Sequence, residues 1–346
     1  MPSIQKLDLG SIERTACYTD IHLGRKNNSD VHNQDCLDYM QFFADNVKAD
    51  QKISHIAFLG DFFENRANIN ISTLNYAYEA LEIIDDLDIP IIHIVGNHDL
   101  FKRESRDIHS VRMFKQFKNI HVVDTPTMID KSLFSPFLFS KEYPDMVKSI
   151  NSAEYVYGHF EFKGFMITGY NTVMERGPEH SHFNGPKKIL SGHFHKRQVQ
   201  DNVAYIGNTF CMDHGDAGDT ERGMAICDHG EDSLEFINYK DQPNYEKVKM
   251  SEIDGWEPKI KSHCRCMIDV DITYSEANDL KDYFINEFNM REFLYEDSAD
   301  KTEILEETEV EELSGSTNEM MLHMLKSIEE TDTIKNTKLV SIYEGL

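Results

Sequence analysis

Five short clusters of Asp, Asn and His side chains lie in the front part of the chain, and each follows a run of apolar residues. The most distinctive is Gly96-Asn97-His98-Asp99, which directly follows the apolar residues 90–95. Such a run ended by glycine predicts a buried strand of a parallel sheet, and open α/β folds hold their ligands at the carboxyl ends of such strands. The other clusters are Asp20-Ile21-His22, Gly60-Asp61, Gly158-His159 and Gly192-His193-Phe194-His195.

The polar side chains of these clusters would meet at one rim if the five apolar runs paired in one sheet. Histidine nitrogens combined with carboxylate oxygens, without thiolates, suit divalent ions such as manganese, iron or zinc. The clusters offer more candidate ligands than one tetrahedral zinc accepts, and they fit two ions that share a ligand and a bridging hydroxide. The residues therefore predict hydrolysis of a phosphate ester by in-line displacement.

The composition is that of a globular protein, with 40% hydrophobic and 28% charged residues in a chain of 346. This length suffices for one large domain and a smaller one. No apolar run approaches the ~20 residues that cross a bilayer, and the N-terminus lacks the pattern of a signal peptide. With six scattered cysteines, we expect a cytoplasmic protein without a membrane segment.

The charge balance bears directly on a nucleic-acid substrate. With 35 basic and 61 acidic residues, the formal net charge is -26. DNA would be repelled at long range, so its binding would need a local basic patch, a metal pair or another subunit. Residues 102–118 are the densest basic stretch of the front half, and they read equally as a DNA-backbone contact or a solvated helix face. The candidate DNA-binding residues are Lys102, Arg103 and Arg106.

Strands and helices alternate through the first part of the chain, which predicts the α/β class. From residue 120 onward the predicted strands are shorter, and a second, mostly antiparallel sheet is expected. A helix with Cys36, Met40 and Phe43 on one face and another that Ser72 would cap are expected to cover the first sheet. The predicted architecture is a four-layer α/β/β/α sandwich.

The rest of the chain predicts two further parts. Residues 241–258 contain prolines and the single Trp256, and they read as a linker into a small α+β cap. An acidic run over residues 296–312 precedes a last helix with an apolar side, which favours docking on a partner. The predicted domains are residues 1–240 for catalysis, 241–295 for capping and DNA recognition, and 296–346 for an acidic linker and partner-binding helix.

The five clusters in this order, each with a strand before it, resemble the calcineurin-like metallophosphoesterases over residues 14–228. The resemblance implies two divalent ions, Mn2+ or alternatively Mg2+, and assigns each residue a role. One ion would be bound by Asp20, His22, Asp61 and His195, and the other by Asp61, Asn97, His159 and His193, with Asp61 bridging. His98 would lie over the scissile phosphate and protonate or stabilise the leaving oxygen, while Asp99 would orient His98 or stabilise its charge.

Other motifs resemble one branch of that superfamily, the SbcD-type nuclease subunits of recombination and repair complexes, and especially those of large tailed bacteriophages. These motifs include Gly158-His159-Phe160-Glu161 and Arg222-Gly223. The resemblance implies a homodimeric DNA exonuclease or endonuclease bound to an ABC-type coiled-coil ATPase of the SbcC type, in the host bacterial cytoplasm if phage-encoded. Two departures are Glu64, where relatives often have His, and Asn208-Thr209, where a small residue and Pro are usual.

Alternative functions stay open at this point. A stand-alone phosphodiesterase or phosphatase acting on nucleotides or phosphoproteins would suit the negative charge, although the phosphoprotein-phosphatase pattern would place Arg at Asn65. A non-catalytic scaffold is disfavoured by the complete ligand set. Two loops also carry ligand-like groups without a preceding strand: His180 with His182, and His214 between Asp213 and Asp216. The second set is interpreted as rim or structural groups.

Overall fold

Strands form most of the framework. The structure, a computed structural model, describes residues 4–167 and 172–297. The strands are β1 (Gln5–Lys6), β2 (Arg14–Tyr18), β3 (His55–Phe58), β4 (Ile91–Ile94), β5 (Leu100–Lys102), β6 (Ser105–His109), β7 (Ile120–Val123), β8 (Thr127–Ile129), β9 (Ser132–Ser135), β10 (Tyr155–His159), β11 (Lys188–Gly192), β12 (Gln198–Gln200), β13 (Val203–Tyr205), β14 (Gly223–Asp228), β15 (Ser233–Asn238), β16 (Asn244–Lys249), β17 (Ser262–Ile268) and β18 (Glu292–Asp297). The helices are α1 (Arg25–Asn28), α2 (Asp30–Ala49), α3 (Ile71–Asp85), α4 (Tyr143–Ser152) and α5 (Tyr274–Glu287).

The first sheet has the strand order β15-β14-β2-β3-β4-β7. Strands β2, β3, β4 and β7 run parallel, whereas β14 pairs antiparallel with both β2 and β15. The central strands β3 and β4 are buried along their whole length, which explains their continuous apolar character. The sheet therefore brings three of the five polar clusters to one edge.

The second sheet has the order β1-β8-β9-β10-β11-β13-β12 and supplies the other two clusters, through β10 and β11. The expectation of a mostly antiparallel sheet was wrong, because β9, β10, β11 and β13 are paired in parallel. The chain crosses from β9 to β10 through α4 rather than through a hairpin turn. Three late strands, β7, β14 and β15, joined the first sheet instead, and residues 165–167 form only an isolated bridge between Met166 and Val173.

The two sheets face each other across a buried apolar layer. Leu59, Ile92 and Ile94 from the first sheet lie in one cluster with Tyr157 and Leu190 from the second. The helices α2 and α3 cover the outer face of the first sheet, while α4 covers that of the second. The structure thus confirms the α/β/β/α sandwich.

The predicted helices are present, with corrections at their starts. Helix α2 buries Cys36, Met40 and Phe43 as expected, but it begins at Asp30, within residues 25–33, which the sequence predicts to be a polar loop. Its N-cap is Ser29, whose side chain accepts a hydrogen bond from the backbone of His32. Helix α3 is capped by Asn70, whose side chain accepts from the backbone N–H of Ser72, so the predicted cap was displaced by two residues.

A small sheet, β16-β17-β18, and helix α5 form the cap around a separate apolar cluster. The linker expected at residues 241–258 was wrong: β16 pairs with β17, and Trp256 packs on Phe284 with ring centroids 5.1 Å apart. Chain contacts group the residues up to Glu296 as one compact unit and Asp297–Leu346 as another. Apart from Asp297, that second unit, with the predicted terminal helix, lies outside the described residues. In the described part no helix is long and apolar enough to span a membrane.

One buried histidine predicts how stability depends on pH. His93 in β4 is fully buried among Phe58, Phe62 and Phe114, and neither ring nitrogen has a hydrogen-bond partner in the described part of the chain. Burial lowers the pKa of His93 to about 3. Because the unfolded chain binds this proton near pH 6.5, the stabilisation is complete above that pH and is lost as the pH falls towards 3.

Replacing His93 with leucine should therefore flatten the acid side of the stability profile. Between pH 6 and 4, the slope of the unfolding free energy against pH should decrease by about 1.4 kcal/mol per pH unit. Urea unfolding of both proteins at several pH values measures this difference. Parallel curves would contradict the prediction.

Candidate active site

The five polar clusters converge where the two sheets present the carboxyl ends of β2, β3, β4, β10 and β11. The sequence predicted a common edge on the condition that all five strands pair in one sheet, whereas in the structure the strands belong to both sheets. Of the predicted metal ligands, four are buried and three are partly exposed. The buried ones are Asp20, His22, Asp61 and His159, and the others are Asn97, His193 and His195.

A first group of ligand atoms consists of Asp20 Oδ1, His22 Nε2 and His195 Nε2. The two histidine nitrogens are 3.1 Å apart, and they lie 3.8 and 3.6 Å from the carboxylate oxygen. Atoms held about 2.1 Å from one ion lie up to about 4.2 Å apart. This group therefore has the spacing of a shell around a single divalent ion.

A second group lies beside the first and consists of Asp61, Asn97, His159 and His193. The Nε2 atom of His159 is 3.2 Å from Asp61 Oδ2 and 2.8 Å from Asn97 Oδ1. The Nδ1 atom of His193 is 3.0 Å from the same Asn97 oxygen. These separations also fit one ion, and the oxygen-and-nitrogen donor set suits manganese or a similar metal.

The histidine tautomers fit a metal role in both groups. His159 Nδ1 lies 2.7 Å from the carbonyl oxygen of Leu59 and donates to it, which leaves the Nε2 lone pair for an ion. His22 Nδ1 lies 2.8 Å from Glu64, so its Nε2 lone pair faces the first group. Burial lowers the pKa of His193 and of His195 to about 3, which keeps both rings neutral and able to bind a cation.

Carboxylates dominate the electrostatics of the site. Burial alone would lower the pKa of His22, but Glu64, Asp20 and Asp61 raise it to about 10. For His159, burial is likewise outweighed, and Asp61 and Asp20 raise its pKa to about 9. Without a metal, the surplus of negative charge is thus balanced by protons on these two rings. A divalent cation would replace those protons.

The backbone at the strand ends has an unusual conformation. Asp20, His22, Asp61 and His193 have φ angles of 51°, 48°, 62° and 88°, in the left-handed region that non-glycine residues seldom adopt. Such strain clusters at functional sites. The main chain at Gly96 also lies very close to the Asp61 side chain: a Cβ on Gly96 would lie 2.1 Å from Asp61 Oδ1. The glycine before Asn97 is thus required by the position of the Asp61 carboxylate.

Comparison with known proteins agrees with this geometry. Residues 14–197 match the profile of the calcineurin-like phosphoesterases. The chain belongs to this family. It is therefore a metallophosphoesterase, a class of hydrolases that bind divalent metals, as the resemblance implied.

Individual relatives are more distant. Exonuclease subunit 1 of enterobacteria phage T4 is 31% identical over 185 residues, which are 51% of this chain and 54% of that protein. This chain therefore spans about half the length of that relative. Two solved structures are similar at low identity. A dimetal phosphatase from Danio rerio has a TM-score of 0.39 and 6% identity over 63% of this chain and 93% of its own. Pseudomonas putida nuclease MPE has a TM-score of 0.28 and 15% identity over 55% of this chain and 66% of its own.

His98 lies at the rim of this metallophosphoesterase site, between the two ligand groups and the loop after β3. Its main-chain N–H donates to Asp61 Oδ1 at 2.8 Å, and its ring meets the His22 ring edge-on with centroids 4.9 Å apart. The Nδ1 atom lies 3.0 Å from the carbonyl oxygen of Glu64 and donates to it. This hydrogen bond does not use the other ring nitrogen, Nε2.

Asp99 has a different position from the predicted one. Its fully buried carboxylate accepts hydrogen bonds of 2.9 to 3.4 Å from the main-chain N–H groups of Gly96, Asp61, Phe62 and Phe63. The expectation that it orients the His98 ring is corrected: Asp99 orders the turn that carries Asp61. Burial and the nearby Asp61 carboxylate raise the pKa of Asp99 to about 6.

The predicted DNA-binding residues lie on a hairpin, not on a helix. Lys102 is exposed at the end of β5 and Arg103 is exposed in the turn. Arg106 in β6 forms an ion pair with Glu142 and donates to the carbonyl oxygen of Phe137. Because its guanidinium anchors the hairpin to the start of α4, the structure does not favour a DNA contact for Arg106.

Sequence reasoning missed two arginines beside the site, the partly exposed Arg25 and the buried Arg222. Arg25 binds Glu64 and Asp213, and Arg222 binds Asp216 and the main-chain carbonyl oxygen of His195. Both acids of the loop around His214 thus take structural roles. The available signal was weak, because Arg25 lies in a polar segment and Arg222 was noted only beside Gly223. In the other flagged loop, His180 pairs with the exposed Asp201.

Proposed function

We propose that this metallophosphoesterase is the DNA-cutting subunit of a recombination and repair complex, and that it hydrolyses DNA phosphodiesters as an exonuclease or endonuclease. The observation that carries the proposal is the pair of adjacent ligand groups at the joint edge of the two sheets. The phage relative named an exonuclease subunit supports DNA as the substrate. The cofactor would be two Mn2+ ions, or Mg2+ in their place.

Each side chain of the site has a proposed task. Two divalent ions bound there would polarise the phosphate and make water nucleophilic near neutral pH. Asp61 would contact both ions with its two carboxylate oxygens. His98, with Nδ1 tied to a carbonyl, would present Nε2 to the leaving oxygen. The proposed shells are Asp20, His22, Asp61 and His195 for one ion and Asp61, Asn97, His159 and His193 for the other.

A local basic area in the cap supports a DNA contact despite the net charge of -26. Besides burial, four basic residues around His214 lower its pKa to about 3: Arg265, Lys247, His263 and Lys26. Of these, Lys26, Lys247 and Arg265 place cationic side chains where the cap meets the start of α2. We therefore propose residues 241–295 as a capping and DNA-recognition domain.

Two partners complete the proposal. The helix predicted near the C-terminus would dock on an ABC-type coiled-coil ATPase of the SbcC type. Exposed apolar residues at Ile71, Leu74 and Tyr78 share one face of α3 and support a homodimer. If the chain is phage-encoded, the complex would act in the host bacterial cytoplasm.

Digestion of end-labelled DNA with and without Mn2+ tests the proposed activity. We expect cleavage that EDTA abolishes and that an added ATPase partner increases. The net negative charge supports a second candidate function, that of a stand-alone phosphodiesterase or phosphatase acting on nucleotides or phosphoproteins. Hydrolysis of small esters without DNA cleavage, in the presence of the partner, would favour that candidate.

Charge reversal at Lys26 and Lys247 should weaken DNA binding but not hydrolysis of a small chromogenic diester. Each lysine that contacts a phosphate adds about 1 to the slope of log affinity against log salt concentration, so the double variant should lose up to about 2. Lys118→Glu, at a distant pair with Asp88, is the control. Equal losses on DNA and diester would argue against a DNA contact.

A further inference from the structure

Glu64 contacts three groups of the site at once. Its Oε2 atom lies 2.8 Å from His22 Nδ1, and its carboxylate lies 3.1 and 3.3 Å from the Arg25 guanidinium. Its main-chain carbonyl accepts the hydrogen bond from His98. The sequence marked Glu64 only as a departure from the pattern of relatives.

We propose that Glu64 is a positioning residue for the first metal group, and this inference rests on the proposed two-ion site. Its carboxylate, 2.8 Å from His22 Nδ1, attracts the ring proton to that nitrogen and so favours the tautomer whose Nε2 lone pair faces Asp20 and His195. A carboxylate behind a histidine ligand also makes the ligating nitrogen a stronger donor. Glu64 thereby raises the affinity of one of the two sites for its ion.

The two groups differ in what contacts the histidine ring nitrogens that face away from the metal position. In the second group, His159 donates to the main-chain carbonyl of Leu59, which carries no net charge. His193 Nε2 lies 3.9 Å from Glu161, beyond hydrogen-bond distance. Only the first group, among the described residues, has a carboxylate in direct contact with a ligand ring from behind. A substitution of Glu64 should therefore affect the two ions unequally.

Arg25 and Asp213 keep the Glu64 carboxylate in this place. Arg25 Nη2 lies 2.6 Å from Asp213 Oδ2, so the Arg25 guanidinium is held between Glu64 and Asp213. Asp213 is itself fixed, because its side chain caps the short helix His214–Asp216. The positive charge of Arg25 offsets the carboxylate charge and holds it on the Nδ1 side of His22. The Glu64 carboxylate thus contacts the His22 ligand from the Nδ1 side and does not take a ligand position itself.

Titration of the metal-free protein with Mn2+ in a calorimeter tests the proposal. Wild-type protein should bind two ions, and Glu64→Ala should weaken one of them by about 10- to 100-fold while the other is retained. Glu64→Gln keeps an acceptor oxygen and should lose less. Asp228→Asn is the matched control, because Asp228 also pairs with an arginine, Arg14, and its side chain is 15% exposed against 20% for Glu64.

The outcomes separate the inference from the function on which it rests. If the wild type binds fewer than two Mn2+ ions, the proposed site itself fails. Two sites of unchanged affinity in a folded Glu64→Ala variant would overturn the role of Glu64, as would equal weakening of both sites. Thermal melting in EDTA checks folding, and the glutamine variant decides the question if the alanine variant is unfolded.

Discussion

Replacing His98 with alanine should reduce DNA cleavage by about 10²- to 10⁴-fold while both Mn2+ ions remain bound. The metal groups should survive because the contact with Asp61 uses the His98 main-chain N–H, which alanine retains. What is lost is a ring whose Nδ1 lies against the Glu64 carbonyl and whose Nε2 is proposed to face the leaving oxygen. Single-turnover cleavage under saturating metal measures the chemical step without product release.

A second substitution at the same position sharpens this test. His98→Asn keeps a short polar side chain but cannot transfer a proton, so it should be as inactive as the alanine variant. Calorimetric titration with Mn2+ should give two ions for both variants. Retained cleavage with Mn2+ would remove His98 from the chemistry, and loss of a bound ion would assign it to metal binding instead.

Changing Asp61 to asparagine should have the largest effect of any single substitution. The change removes one of the two oxygens that can each accept a cation, and it removes negative charge between the two ligand groups. We expect loss of at least one ion and a fall in cleavage on the order of a thousandfold or more. Metal content after gel filtration and cleavage at several Mn2+ concentrations are the measurements.

The exposed Asp45 on α2 provides the control for Asp61. Asp45→Asn makes the same chemical change away from the ligand groups, at a carboxylate that accepts a hydrogen bond from Gln41. Its metal content and activity should equal those of the wild type. An Asp61→Asn protein with two ions and normal cleavage would be incompatible with a bridging role.

The order of the clusters was predictable because each follows a short apolar run, and such runs become buried strands. The division between two sheets was not, since a buried strand has the same apolar pattern in either sheet. Residues 153–157 and 187–191 show the same apolar pattern as the residues before Asp61, yet β10 and β11 lie across the core from β3. Pairing depends on long-range contacts that no local pattern records.

The roles of acidic residues were harder to predict than their positions. Asp99 stands next to His98 in the sequence, but its carboxylate turns to the main chain, because four N–H groups at the strand ends need an acceptor. Glu64 looked like the loss of a histidine, whereas its contact with His22 depends on a bridge between Leu23 and Phe63 that brings two loops together. Neither contact follows from spacing.

Because each ligand group draws side chains from both sheets, the spacing of the ligand atoms around each cation depends on the thickness of the apolar layer between the sheets. The side chains of Leu59 and Leu190 are part of that layer. Trimming either one would let the two halves of the molecule settle closer together. The distances between the ligand atoms would then change although no cation-binding residue had been substituted.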